Sequence, residues 1–116
     1  MENQFDYINE LMPFYLSLLT ERQQEILKLY FYEDLSLTEI AENLNISRNG
    51  VYDTLKKAEK SLKEYEDKLQ LSQESALRLE KYEKIRSLGH ADVNKIINEL
   101  IQREEEYESG NGCQCR

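Results

Sequence analysis

What this chain lacks narrows its chemistry before any motif is read. Tryptophan is absent, proline occurs once and glycine four times in 116 residues, so few positions are obliged to interrupt a helix. No stretch of 18 apolar residues is present, which argues against a membrane-spanning helix. The opening MENQFDYINE is acidic where a secretory signal would carry lysine or arginine. A cytoplasmic protein with no membrane partner is therefore expected. There is one histidine, His90, and the two cysteines, Cys113 and Cys115, stand together as C-x-C. Two thiols without a neighbouring histidine cannot complete a four-ligand zinc site. Free thiols in a reducing compartment are the expected state, with metal capture or redox sensing as the alternative. No P-loop and no G-x-G-x-x-G stretch occurs, and no serine, cysteine or histidine stands with a plausible base. Carboxylates are plentiful, but at salt-bridge spacing from lysine and arginine on faces predicted to be solvated. No catalysis, cofactor or metal is expected.

What is present is helical composition on one or at most two small domains, dominated by leucine, glutamate, lysine, isoleucine and tyrosine. The formal net charge is -8, from 23 acidic and 15 basic residues, which opposes indiscriminate attraction to a phosphate backbone. The charge is unevenly placed. From Ser47 to Lys63 there are five basic residues (Arg48, Lys56, Lys57, Lys60, Lys63) against two acidic ones (Asp53, Glu59). A small cationic face on an acidic chain can meet phosphate, with strong salt sensitivity.

The organising stretch is Ser36 to Leu62, SLTEIAENLNISRNGVYDTLKKAEKSL. Ser36 with Glu39 is a capping box that opens one helix, and Leu37, Ile40, Ala41 and Leu44 recur at helical spacing behind it. Asn45 stands where the chain must turn, since asparagine tolerates the left-handed conformation. Ser47 caps a second helix whose apolar stripe is Val51, Leu55, Ala58 and Leu62. Two short helices about such a turn form a helix-turn-helix. Upstream, Phe5, Ile8, Leu11, Met12, Tyr15, Leu16 and Leu19 predict a first helix interrupted by Pro13. Thr20 with Gln23 predicts another capped helix, burying Ile26, Leu27, Leu29, Tyr30 and Phe31.

The run LLTERQQEILKLYFYEDLSLTEIAENLNISRNGVYDTLKKAEKSL resembles region 4 of bacterial sigma factors, with its LT-x-R-Q and SL-x-EIA-x-x-L-x-I-S-R-x-x-V signatures. FYLSLLT, the tyrosine-rich LYFYEDLSLTEIAE and SRNGVYDTLKKAE resemble more closely the YlxM family of small bacterial helix-turn-helix proteins, over Phe5 to Leu88. That resemblance implies a regulatory protein associated with the signal recognition particle pathway. DNA and components of that particle are the partners it suggests. The sigma-type pattern sets Arg48, Asn49, Tyr52 and Asp53 where base-edge readers stand and leaves Lys56, Lys57 and Lys60 for phosphate. Tyr52 and Asp53 depart from the arginine, lysine or glutamine usual there, and a carboxylate repels phosphate. The alternatives are an ordinary solvated helix face, or an adaptor that binds RNA or protein and never reads DNA.

Beyond the motif no glycine or proline intervenes before Gly89, and a heptad seam continues: Leu55, Leu62, Leu69 and Ala76, with Ala58, Tyr65, Ser72 and Leu79. One long helix is expected, covered partly by the N-terminal helix and partly by a second chain. Leu62, Tyr65, Leu69 and Leu79 are the candidate homodimer interface, and a purely intrachain core is the alternative. Gly89 ends the helix, His90 is expected in a loop or cap, and Asp92 is expected to cap a last helix striped by Val93, Ile96, Ile97, Leu100 and Ile101. Glu104, Glu105, Glu106 and Glu108 oppose the dipole at its end. The expected fold is all-α: a helix-turn-helix bundle without a wing, extended by a long helix and a C-terminal amphipathic helix. Residues 1–62 would hold the motif, 63–108 the packing and dimerisation elements, and 109–116 a disordered tail.

Overall fold

A computed structural model of the protein describes residues 4–108, and the expected tail with its C-x-C lies outside them. Six α-helices and no strand occur among the described residues: α1 Gln4–Tyr15, α2 Glu21–Leu27, α3 Leu37–Leu44, α4 Arg48–Leu69, α5 Leu71–Arg86 and α6 Ala91–Glu108. Pro13 lies in the last turn of α1, which ends two residues later and passes through a short 3-10 turn into α2. Thr20 Oγ1 accepts from the Gln23 N–H at 3.1 Å, and the Gln23 side chain accepts from the Thr20 N–H at 3.1 Å, so the expected capping box starts α2. The same reciprocal pair joins Ser36 and Glu39, at 3.1 and 2.8 Å. Between them the chain widens into a π turn over Lys28–Tyr32, with the Glu33 N–H reaching back to the Lys28 carbonyl.

The core gathers on α4. Val51, Leu55, Ala58 and Leu62 meet Ile8, Leu11, Met12 and Tyr15 of α1, Ile26 and Leu27 of α2, Phe31, and Ile40 and Ala41 of α3. Fully burying side chains of this size contributes roughly 1.5–3 kcal/mol each by area transfer. α5 and α6 form an antiparallel arm that touches α1, and the whole molecule measures 57 × 26 × 24 Å.

The expected uninterrupted rod is broken. Gln70 takes φ 55, ψ 32, and α5 starts in a new direction. The cause is tertiary. Glu66, in step with the apolar stripe, is buried, and its carboxylate accepts from the Tyr15 hydroxyl at 2.5 Å and from the backbone N–H groups of Ser72 and Gln73 at 3.1 Å each. Tyr15, fully buried, accepts in turn from the Leu71 N–H at 2.9 Å. The carboxylate thus caps α5 from the preceding helix and meets its positive dipole end. Burial, then the hydrogen bond to Glu66, pushes the Tyr15 phenol up to about 12, against a smaller opposing effect of the Leu71 N–H.

Carboxylates expected on solvated faces are buried at three places, Glu59, Glu66 and Glu104. Glu104 fastens the arm: fully buried Ser75 donates to it at 2.7 Å, and the Arg78 Nε at 2.7 Å. Burial pushes this carboxyl up, but the hydrogen bonds from Arg78 and Ser75 outweigh it and hold the group below the usual carboxylate range. Of the stripe on α6, Ile97 and Ile101 are buried, whereas Val93, Ile96 and Leu100 stay exposed. Gly89, at φ 79, turns the chain as expected. The His90 carbonyl accepts the Asn94 N–H at 2.8 Å, so the helix opens at His90 and Asp92 lies inside its first turn.

Tyr15→Phe keeps the ring and takes one donor from a buried carboxylate, so urea unfolding is expected to show a loss of about 1–3 kcal/mol. The hydroxyl's folded value near 12 lies above its ordinary 10, so its contribution is present below pH 10 and is lost as pH rises toward 12; the Phe variant should lack that part of the alkaline decline. At the acid end, Glu104 contributes above its ordinary 4.5 and loses that contribution as pH falls through its lower folded value. Glu104→Gln should therefore flatten the acid limb of stability against pH.

Candidate nucleic-acid interface

Local chemistry fixes where α4 begins. Asn45 adopts φ 59, ψ 45 and closes α3, and the Ile46 N–H returns to the Ala41 carbonyl at 3.1 Å. Ser47, extended at φ -74, ψ 155, turns its hydroxyl to accept the Gly50 N–H at 2.9 Å. A Cβ on Gly50 would meet that hydroxyl at 3.1 Å, so the glycine makes room for the cap. Helix, left-handed asparagine, capped helix is the geometry expected from the sequence.

All seven residues expected to meet nucleic acid, Arg48, Asn49, Tyr52, Asp53, Lys56, Lys57 and Lys60, lie on α4 and are exposed, Tyr52 at 45 %. At about 100° per residue, Asn49, Tyr52, Asp53, Lys56 and Lys60 share one face, with Arg48 and Lys57 on its flanks. Val51, Leu55, Ala58 and Leu62 turn the other way, into the core. The Lys56 ammonium lies 5.5 Å from the Tyr52 ring centroid and 3.7 Å from a Glu59 oxygen. Ring and cation therefore hold each other in place on the ridge. The arrangement offers an amide, a phenol and a carboxylate for base edges, with guanidinium and ammonium groups for phosphate. It offers no acid–base pair around a reacting atom, and no group of three metal-ligating side chains occurs among the described residues.

The four residues expected at a homodimer interface are not brought together on an open surface. Leu62 is fully buried in the chain's own core, and Tyr65 is half-buried with its ring stacked 5.9 Å from that of Tyr15. Leu79 is half-buried, and Leu69 is 51 % exposed. In this conformation α1 of the same chain occupies the seam at Leu62 and Tyr65. Sequence reasoning missed Tyr15, Glu59 and Glu66 as polar participants. A signal was present: Glu59 and Glu66 follow Leu55 and Leu62 by four residues, which carries two carboxylates onto the apolar stripe.

Comparison with known proteins agrees with this geometry. The sequence model of a family described as "Putative helix-turn-helix protein, YlxM / p13 like" matches residues 2–104. A UPF0122 protein of Limosilactobacillus reuteri is 41% identical over 113 residues, covering 91% of this chain and 100% of the relative. One from Caldanaerobacter subterraneus is 49% identical over 86 residues, 74% of each chain. A third, from Desulforamulus reducens, is 57% identical over 76 residues, 62% of this chain and 65% of its own.

Ser47→Ala removes the cap of the helix that carries the whole ridge. The expected cost is about 1 kcal/mol, seen in thermal unfolding as a drop of several degrees, with Ser47→Gly milder.

Proposed function

Since the chain belongs to the UPF0122 family of YlxM/p13-like helix-turn-helix proteins, we propose that it is a regulatory protein that engages duplex nucleic acid through α4. The carrying observation is the outward ridge Arg48, Asn49, Tyr52, Asp53, Lys56, Lys57 and Lys60 on a helix whose opposite side, at Val51, Leu55, Ala58 and Leu62, lies in the core. A recognition helix enters the major groove with its N-terminal residues against base edges. Arg48, Asn49 and Tyr52 stand there, and the lysines farther along meet backbone phosphate. Asp53 selects cytosine N4 or no base at all, and it makes the readout weak without it. Two ridges related by a two-fold axis would suit a palindromic site, and a homodimer belongs to this reading.

A second reading is favoured by the net charge of -8 and by the Lys56–Glu59 pair, which together lessen the attraction of the ridge for phosphate. In it the domain is an adaptor in the cytoplasm that binds a protein or ribonucleoprotein, the signal recognition particle being the candidate implied by the family resemblance.

Fluorescence anisotropy with a labelled duplex over a salt series separates them. Arg48→Ala and Lys56→Ala are each expected to weaken binding and to lower the slope of log affinity against log salt by about one. A wild-type protein that retains no duplex at low salt would end the first reading. Photocrosslinking from position 52 in extract then reports which macromolecule the ridge meets.

A further inference from the structure

α4 and α5 are joined by one residue held in a conformation that its own chemistry disfavours. Residues 66–76, EDKLQLSQESA, contain neither glycine nor proline, and on local preference they continue a helix. Gln70 nevertheless sits at φ 55, where a side chain is strained. The bend takes the N–H groups of Leu71, Ser72 and Gln73 out of the helical ladder and hands them to Tyr15 and Glu66. It also leaves Leu69, Leu71 and Leu77 at 51, 42 and 47 % exposure around the hinge. The arm beyond it reaches the rest of the chain chiefly through α1. Any second copy carries that same α1 surface.

We infer that two copies of this chain exchange arms. α4 and α5 straighten into one helix from Arg48 to Arg86, and the α5–α6 arm of each docks on α1 of the other. The contacts that the arm makes within one chain are thereby remade between two. Straightening returns three N–H groups to intrahelical bonds and releases the left-handed residue. What it gives up is the Tyr15–Glu66 junction. Leu69 and Ala76 then follow Leu62 at seven-residue steps on a continuous helix; Leu62 stays in its own core, and Leu69, now in water, is covered by the partner. At low concentration the bent monomer prevails, because closing the arm on its own α1 is intramolecular. The inference does not depend on what α4 binds, though it would set two ridges at a fixed separation.

Opposite substitutions at one position test this. Gln70→Gly removes the left-handed strain and penalises a straight helix, whereas Gln70→Ala does the reverse, so their dimer dissociation constants should differ by about tenfold or more. Light scattering coupled to size exclusion reads the mass, in a Cys113→Ser, Cys115→Ser background. Spin labels at Glu64→Cys and Lys84→Cys, diluted with unlabelled protein, read the hinge: a straight helix separates them by about 30 Å, and the bent chain by clearly less. Glu66→Gln loosens the junction without touching Gln70 and should also favour the dimer, so it carries the test if the alanine variant fails to fold. Dimers with the long distance support the exchange. Equal masses for the glycine and alanine variants, monomers up to millimolar concentration, or dimers that keep the short distance would overturn it.

Discussion

A carboxylate taken out of water must find donors, and the way Glu66 finds them governs how this molecule is arranged. Its donors include the Tyr15 hydroxyl and two N–H groups at the start of α5. The carboxylate is satisfied only if α5 leaves α4 at an angle and α1 lies alongside with its phenol in reach. One group therefore ties three helices. An isolated buried charge would cost several kcal/mol, so any rearrangement that separates these elements must hydrate Glu66 or supply it with other donors.

The consequence reaches the ridge through α4 itself. With α1 clamped at Tyr15, the apolar stripe of α4 is covered from Val51 to Leu62, and over that length the helix turns only its opposite face outward. That face is small in charge. A pair as exposed as Lys56 is worth little by itself, but Glu59 is nearly buried, and drawing the ammonium fully away would strand it. Lys56 is thus best used where it stands, presenting its remaining N–H groups above the Tyr52 ring. Binding built on such contacts would be short in range and steeply weakened by salt, since the rest of the molecule repels phosphate.

Local chemistry explains what could be read from the sequence. The caps at Thr20, Ser36 and Ser47 and the turn at Asn45 each involve residues within four positions, and each is where the pattern put it. Ile8, Leu11, Met12, Ile26, Ile40, Val51 and Leu55 are core because their spacing admits no other face. The break at Gln70 was not legible. It is imposed across 51 and 56 residues of sequence, from Tyr15 to Glu66 and Leu71, and defeats a local preference for helix. The burial of Glu104 escaped for the same reason: its partners, Ser75 and Arg78, lie 29 and 26 residues away. Dipole reasoning about the end of α6 held only the local half of that group's surroundings. At the ridge, position was legible from the motif, whereas the Lys56 contacts depend on rotamers that spacing does not specify.

α4 also separates two tasks that a shorter helix would confuse. Tyr52 and Glu66 are fourteen positions apart on one continuous helix, about 21 Å along its axis, with the core packed between them. A close-packed segment of that kind transmits a change of direction as a rigid body and does not bend to absorb it. Movement at Gln70 therefore reorients the arm without deforming the ridge. The caps that shape the ridge bond locally, Ser47 with Gly50 and Ile46 with Ala41, whereas the junction that shapes the arm joins Tyr15, Glu66 and Leu71. On the proposed readings, recognition by the first turns of α4 and association through its far end would be two properties of one helix, coupled by geometry and separable by substitution.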